Sequence, residues 1–316
     1  MSKDTKHGKV PKRCSLKNYL ENTWLPAFKR PGISRPLNQI QRAHPWPKYP
    51  DLQRDIGTRR LVEVLRIDQW SFMLLAEDYM KHVSSTYIVN ESLVEEEHSP
   101  RLRLPSRDMV TYEKSDLEFL SQIRNEDDFV TLVQDYILGT ISEAIRLVEG
   151  FSLSHFLTDE LKFLPSSHLC PAHHARWDIL ALPESDRFLV PFAVIFVPPW
   201  EFGTQDFADF TSAQRFEHNA LDTLDTSTNT TSDKLWAVVH DTCQGRGKHF
   251  AVTNYTRWAF GEFSSNGTIA RVTDSFEAPI LNLDGTHDAV PWLGFNVVEL
   301  LTFWIHTSLQ QRPSRS

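Results

Sequence analysis

Cys170 and His173 have two residues between them in a loop that also holds His168 and His174, and His240 and Cys243 have the same spacing on a later helix candidate. Thiolates and imidazoles offered in pairs from two separate segments are the donor set of a tetrahedral zinc site. The competing reading is a histidine-rich loop beside a buried thiol, because a free cysteine packs like a small apolar residue. Isolated carboxylates suggest a second chemistry. Asp178 sits in the apolar strand candidate around Trp177 to Leu182. Glu143 lies at the border of a helix stripe, where a helix can offer an acid to a neighbouring sheet. Gly245-Arg-Gly-Lys248 lacks the spacing of a phosphate-binding Walker loop, and neither a Gly-x-Ser-x-Gly elbow nor a dinucleotide fingerprint occurs.

The elements that must position these groups follow from periodicity. Apolar residues near the helical period predict a helix over 55–82, and Ser84 to Arg107 reads as a connection. A second helix runs from Asn125, an expected N-cap followed by three acids, to about Val148, with Val133, Ile137, Ile141 and Ala144 in its stripe. Short apolar runs then take over. Ile179 to Leu182 and Leu189 to Val197 are expected strands, the second so continuously apolar that it belongs at the centre of a sheet. The polar stretch Gly203 to Ser232 is expected as a loop or flexible insertion. A helix over Asp233 to Cys243, strands over 249–254, 257–263 and 268–273, and a helix over Asn296 to Leu309 complete the order. Alternating helices and strands imply an α/β fold, or α+β, with a mixed sheet flanked by helices.

That order resembles the PD-(D/E)XK nuclease-like family, particularly its divergent fungal members. The resemblance rests on Trp177-Asp178, the strand ending Val194-Ile-Phe-Val-Pro-Pro-Trp200, and the pair Phe250-Ala-Val-Thr-Asn-Tyr-Thr-Arg-Trp-Ala-Phe-Gly261. It covers about residues 126–310 and implies a restriction-endonuclease-like sheet. In that family a helix acid, a second-strand aspartate and a third-strand (Glu/Asp)-x-Lys hold one or two Mg²⁺. Hard cations need several oxygen ligands, and phosphodiester cleavage needs positive charge near phosphorus. Carried over, Glu143 matches the helix acid and Asp178 the second-strand acid. Phe196 stands where the third-strand acid belongs, and the lysine position is lost to a one-residue deletion or filled by Pro198. Glu201, Lys234 and His240 are the residues that could replace the missing groups. The resemblance therefore implies a nuclease-like protein with impaired catalysis that acts by binding nucleic acid or a protein. The alternatives are a Mg²⁺-dependent nuclease with a migrated lysine, and a protein-interaction module with no nucleic-acid role.

Charge divides the chain. Residues 1–60 hold 14 Lys or Arg against 4 acids, so their net charge is +10 and the remainder carries −18. The basic part is proline-rich and is expected as an arm suited to phosphate backbones or nuclear targeting, or lying across the acidic body. Residues 61–125 are expected as a helical extension before the nuclease-like domain. The 41% of hydrophobic residues is enough for a substantial core. The absence of any run of 18 apolar residues predicts no membrane span. Met1 to Lys17 has no apolar signal region, so an intracellular protein of nucleus or cytoplasm is expected, and the three distant cysteines do not suggest a disulfide framework.

Overall fold

The computed structural model describes residues 13–26, 59–83, 88–90, 104, 132–148, 160–165, 176–182, 188–199, 201–217, 221, 230–243, 248–281 and 296–310. The first elements are β1 (Arg13–Ser15), α1 (Leu16–Glu21), β2 (Leu25–Pro26), β3 (Glu63–Arg66), α2 (Gln69–Val83) and β4 (Ile88–Asn90). A wide π-type segment, Val133–Leu138, runs into α3 (Gly139–Val148) and is followed by β5 (Glu160–Pro165), β6 (Arg176–Leu182) and β7 (Phe188–Phe196). Next come α4 (Thr204–Thr211), β8 (Gln214–Arg215), α5 (Thr231–Cys243), β9 (His249–Thr253) and β10 (Arg257–Phe263). The last are β11 (Ile269–Val272), β12 (Phe276–Glu277), β13 (Ile280–Leu281) and α6 (Val297–Gln310).

Among the described residues, nine strands form one mixed sheet in the order β5-β6-β7-β9-β10-β11-β3-β8, with β12 also on β10. β5, β6 and β7 are successively antiparallel, β7 and β9 are parallel, and β11 and β3 are parallel. A parallel pair cannot be joined by a tight turn, and the segment between β7 and β9 supplies the crossover as α4 and α5. Strand alternation then divides the core. Phe192, Val194 and Phe196 pack with α1, α2, α3 and α6, whereas Ala193, Ile195 and Val197 pack with α4 and α5. The fold is thus a mixed α/β sheet flanked by helices, and no helix among the described residues is long and apolar enough to cross a membrane.

Several expectations change. The helix expected over 55–82 is a strand and then a helix, because Asp68 caps α2. Its carboxylate accepts the Ser71 N–H at 2.7 Å and its carbonyl the Phe72 N–H at 3.0 Å. β3 joins the same sheet as β10 and β11, so part of the expected 61–125 extension is built into the main body. The expected loop over 203–232 contains α4, which buries Phe207 and Phe210 and is fixed at its start by Asp206 accepting the Gly203 N–H at 3.0 Å. The expected arm enters the fold over 13–26: β1 pairs with β4, β2 with β13, and Leu16, Tyr19 and Leu20 are buried. Asn125, the expected N-cap of the helix before β5, lies outside the described residues.

α6 begins with a buried capping box. Asn296 Oδ1 accepts the N–H groups of Val298 and Glu299 at 2.9 and 3.1 Å, and Glu299 Oε2 accepts the Asn296 N–H at 2.8 Å. Burial, reinforced by Glu21, pushes the Glu299 carboxyl up to about 8, against the opposing bond from Asn296. The folded state therefore keeps a proton that the unfolded chain releases above its ordinary value of 4.5, so stability falls as pH rises from there to about 8. Urea midpoints measured from about pH 6.5 to 8 should record a loss on the order of 2 kcal/mol. Glu299→Gln, which mimics the neutral acid, should remove most of that decline. An equal decline in both proteins would show that Glu299 is ionised in the folded state.

Candidate functional site

Phe196 ends β7 level with Thr253 of β9 and is 1% exposed, inside the core that joins the sheet to α3 and α6. Pro198 and Pro199 stop the strand, and the Glu201 and Phe202 N–H groups both bond the Pro198 carbonyl, at 2.9 and 3.0 Å. Asn254 Nδ2 donates to the Phe202 carbonyl at 2.7 Å and ties this turn to the β9–β10 connection. There Tyr255 adopts φ +78°, a left-handed conformation unusual for a bulky residue, and its N–H donates to Thr253 Oγ1 at 2.8 Å. The position where the resemblance would put a third-strand acid thus holds a buried phenyl ring, and the neighbouring turn uses its polar groups internally.

Asp178 stands on β6 level with Leu164 of β5 and Ala193 of β7. Beyond it the β6–β7 register shifts before Leu180, and Pro191, which has no N–H to donate, lies in the irregular stretch of β7. Ala193 belongs to the core under α4 and α5. Phe196, an odd number of residues further on, lies on the other face and roughly 10 Å along the strand, at about 3.3 Å per residue. Glu143 is half-buried on α3, whose Ile141, Ala144 and Ile145 pack into the Phe196 core. The structure therefore brings Phe196 and the helix of Glu143 to one side of the sheet. It sets Asp178 level with a residue of the opposite core rather than with Phe196.

The three expected replacements are also spread out. Glu201 is half-buried just past the end of β7, near where β9 ends. Lys234 is half-buried in the first turn of α5, which Thr230 and Asp233 cap reciprocally at 3.1 and 2.9 Å. His240 lies two turns on, where β9 begins: its Nε2 accepts the Arg60 N–H at 3.2 Å and its ring meets Phe263 edge-on at 5.8 Å. Glu201 and His240 consequently stand toward opposite ends of β9. Of the expected zinc ligands, Cys243 is buried, and His240 has committed the Nε2 lone pair to Arg60. Cys170 and His173, like His168 and His174, lie outside the described residues. Among the described residues no group of three or more His, Cys, Asp or Glu could hold a metal ion.

Two polar clusters have no signature in the sequence. Arg59 grips Asp241 in a bidentate pair, Nε to Oδ1 at 3.0 Å and NH2 to Oδ2 at 2.7 Å, and also donates to the Leu221 carbonyl. Both side chains are buried, and His240 Nδ1 stands 3.7 Å from the same carboxylate. On β9, His249 is buried with neither ring nitrogen hydrogen-bonded, 3.6 Å from Glu262 of β10 and edge-on to Trp304 of α6 at 4.9 Å. Burial first, and Lys248 second, lower its pKa to about 4, so the ring is neutral at neutral pH. Arg59 and Asp241 are separated by 182 residues, beyond the reach of any local pattern. His249 is legible only as one polar residue opening an apolar strand.

No protein-family model, curated protein or solved structure matches this chain.

Arg59→Ala would leave the Asp241 carboxylate buried without its counter-charge, an imbalance that typically costs about 3–5 kcal/mol. Urea unfolding should show this loss, and Asp241→Asn added to Arg59→Ala should return much of it by removing the orphaned charge. An unshifted midpoint for Arg59→Ala would mean that the pair adds nothing to stability.

Proposed function

We propose that this chain is a PD-(D/E)XK-type, restriction-endonuclease-like protein that has lost cleavage and works by binding nucleic acid. The observation that carries the reading is Phe196, 1% exposed in the core at the third-strand position. A phenyl ring offers no oxygen to Mg²⁺, and Pro198 offers no cation to a phosphorane-like transition state. The residues present therefore do not fit the family's Mg²⁺ centre, and no step of cleavage is routed through one. The element order supports the family assignment, and the level of Asp178 with Ala193, a residue of the core opposite that of Phe196, is where the chain departs from the family's convergent acids. α3 is followed by β5, β6 and β7, then by the helical crossover and β9 parallel to β7, with Asp178 on the second of the three strands.

The charge pattern indicates which part binds. Arg59, Arg66, Arg215, Arg257 and Arg271 of the body all face carboxylates, those of Asp241, Asp274, Glu63, Glu277 and Glu262. Cations matched internally are poorly placed to release counterions from a phosphate backbone. The sequence concentrates positive charge, net +10, in residues 1–60, and we ascribe the main electrostatic contact to the basic N-terminal residues.

Purified full-length protein should cleave supercoiled plasmid, single-stranded DNA or RNA with Mg²⁺ or Mn²⁺ no faster than its Asp178→Ala variant. Deleting one preorganised stabilising group commonly lowers rates on the order of 100- to 1,000-fold, and here two are missing. Metal-dependent cleavage that vanishes in both Asp178→Ala and Glu143→Ala would overturn the loss of catalysis.

Binding is tested separately. Replacing Lys3, Lys6, Lys9 and Lys12 by Gln changes no residue of β1 or α1. It should weaken binding to DNA and flatten its salt dependence by about 0.7–0.9 in log-log slope for each phosphate that is no longer neutralised. Equal slopes would remove the segment from the binding surface. Failure of the parent protein to bind DNA or RNA, with capture of a protein instead, would favour an interaction module.

A further inference from the structure

The end of the sheet where β9 begins differs in charge from the rest of the body. Among the described residues, Arg60 and Lys248 are the exposed cations with no carboxylate within ion-pair distance. A short chain of contacts links them. The Arg60 N–H donates to His240 Nε2, the His240 ring packs on Phe263, and the Phe263 N–H donates to the Lys248 carbonyl at 2.7 Å. Of the carboxylates around this sheet end, Asp241 is matched by Arg59 and Glu262 by Arg271 at 3.8 Å, while Glu217, which follows β8 alongside Leu61, makes no ion pair with Arg60 or Lys248.

We propose that this sheet end, through Arg60 and Lys248, is a second docking surface for nucleic-acid phosphates. The inference rests on the reading that the chain binds nucleic acid, and it adds the place on the folded body where the strand lies. The basis is charge complementarity. Arg60, the last residue of the stretch of net charge +10, and Lys248, in the remainder of net charge −18, are both exposed and unmatched, whereas the other exposed arginines among the described residues are matched. The rigid partner of Arg60 matters as well. The His240 bond and the neighbouring Arg59–Asp241 pair fix the backbone at this point, so Arg60 would contact phosphate with less ordering cost than a cation on an unanchored backbone.

The test uses the full chain and short fluorescent DNA, duplex and single-stranded, titrated over a range of salt. Arg60→Gln with Lys248→Gln should weaken binding and lower the log-log salt slope by about 1.4–1.8, the value for two phosphates. Lys81→Gln, which removes a lysine paired with Glu77 on α2, should change neither. The charge-preserving exchange Arg60→Lys with Lys248→Arg should retain most of the slope, and an unchanged urea midpoint in each variant shows that the fold is intact. Slope and affinity equal to those of the parent in the double Gln variant would overturn the surface while leaving nucleic-acid binding standing. A parent protein that binds no DNA or RNA would overturn both.

Discussion

The parallel pairing of β7 with β9 is the constraint from which most of this structure follows. Two parallel strands side by side at the middle of a sheet need a long connection, and burying both requires cover on both faces. The chain meets both demands with residues 197–248, whose helices lie over one face, while α3 and α6 cover the other. Once β7 is sandwiched in this way every side chain along 192–197 is buried, and a metal-binding carboxylate there would need partners to offset its desolvation. Phe196 suits a doubly covered strand.

The same logic explains where polar groups survive inside. Arg59 and Asp241 are buried as a pair with every strong bond directed, whereas His249 is buried alone and stays neutral. Glu299 is buried protonated but capped. Each is a different answer to one problem, the cost of removing a charge from water. None of the three belongs to the acids singled out by the family resemblance.

How much is legible in the sequence depends on how local each determinant is. β9, β10 and α6 can be read almost to the residue, since their apolar periods are long and their turns carry Asn-Gly or an Asn cap. β3 reads as helix because Leu61, Val64 and Leu65 happen to be spaced three and four apart. The deciding signal is the Asp68 cap, one residue type at one position. β5 does not stand out, because six residues give too short an alternation. At the candidate site, the burial of Phe196 is visible in the continuous apolar run around it. The level of Asp178 against Ala193 is not, because the irregularity at Pro191 sets a register that residue types alone do not encode.

β3 finds its parallel partner β11 about 200 residues later in the chain. At about 5–20 residues per second of synthesis, that separation is on the order of 10–40 s. Until then Leu61 and Val64, both destined for the core, have no β11 to pair with, and when β11 does arrive its outer edge is open until β3 docks. An unpaired, half-apolar edge is the usual template for joining the wrong chain. The arrangement ties the folding of the N-terminal part to completion of the C-terminal part, so a ribosome-bound fragment ending before residue 269 would be a natural client for a chaperone.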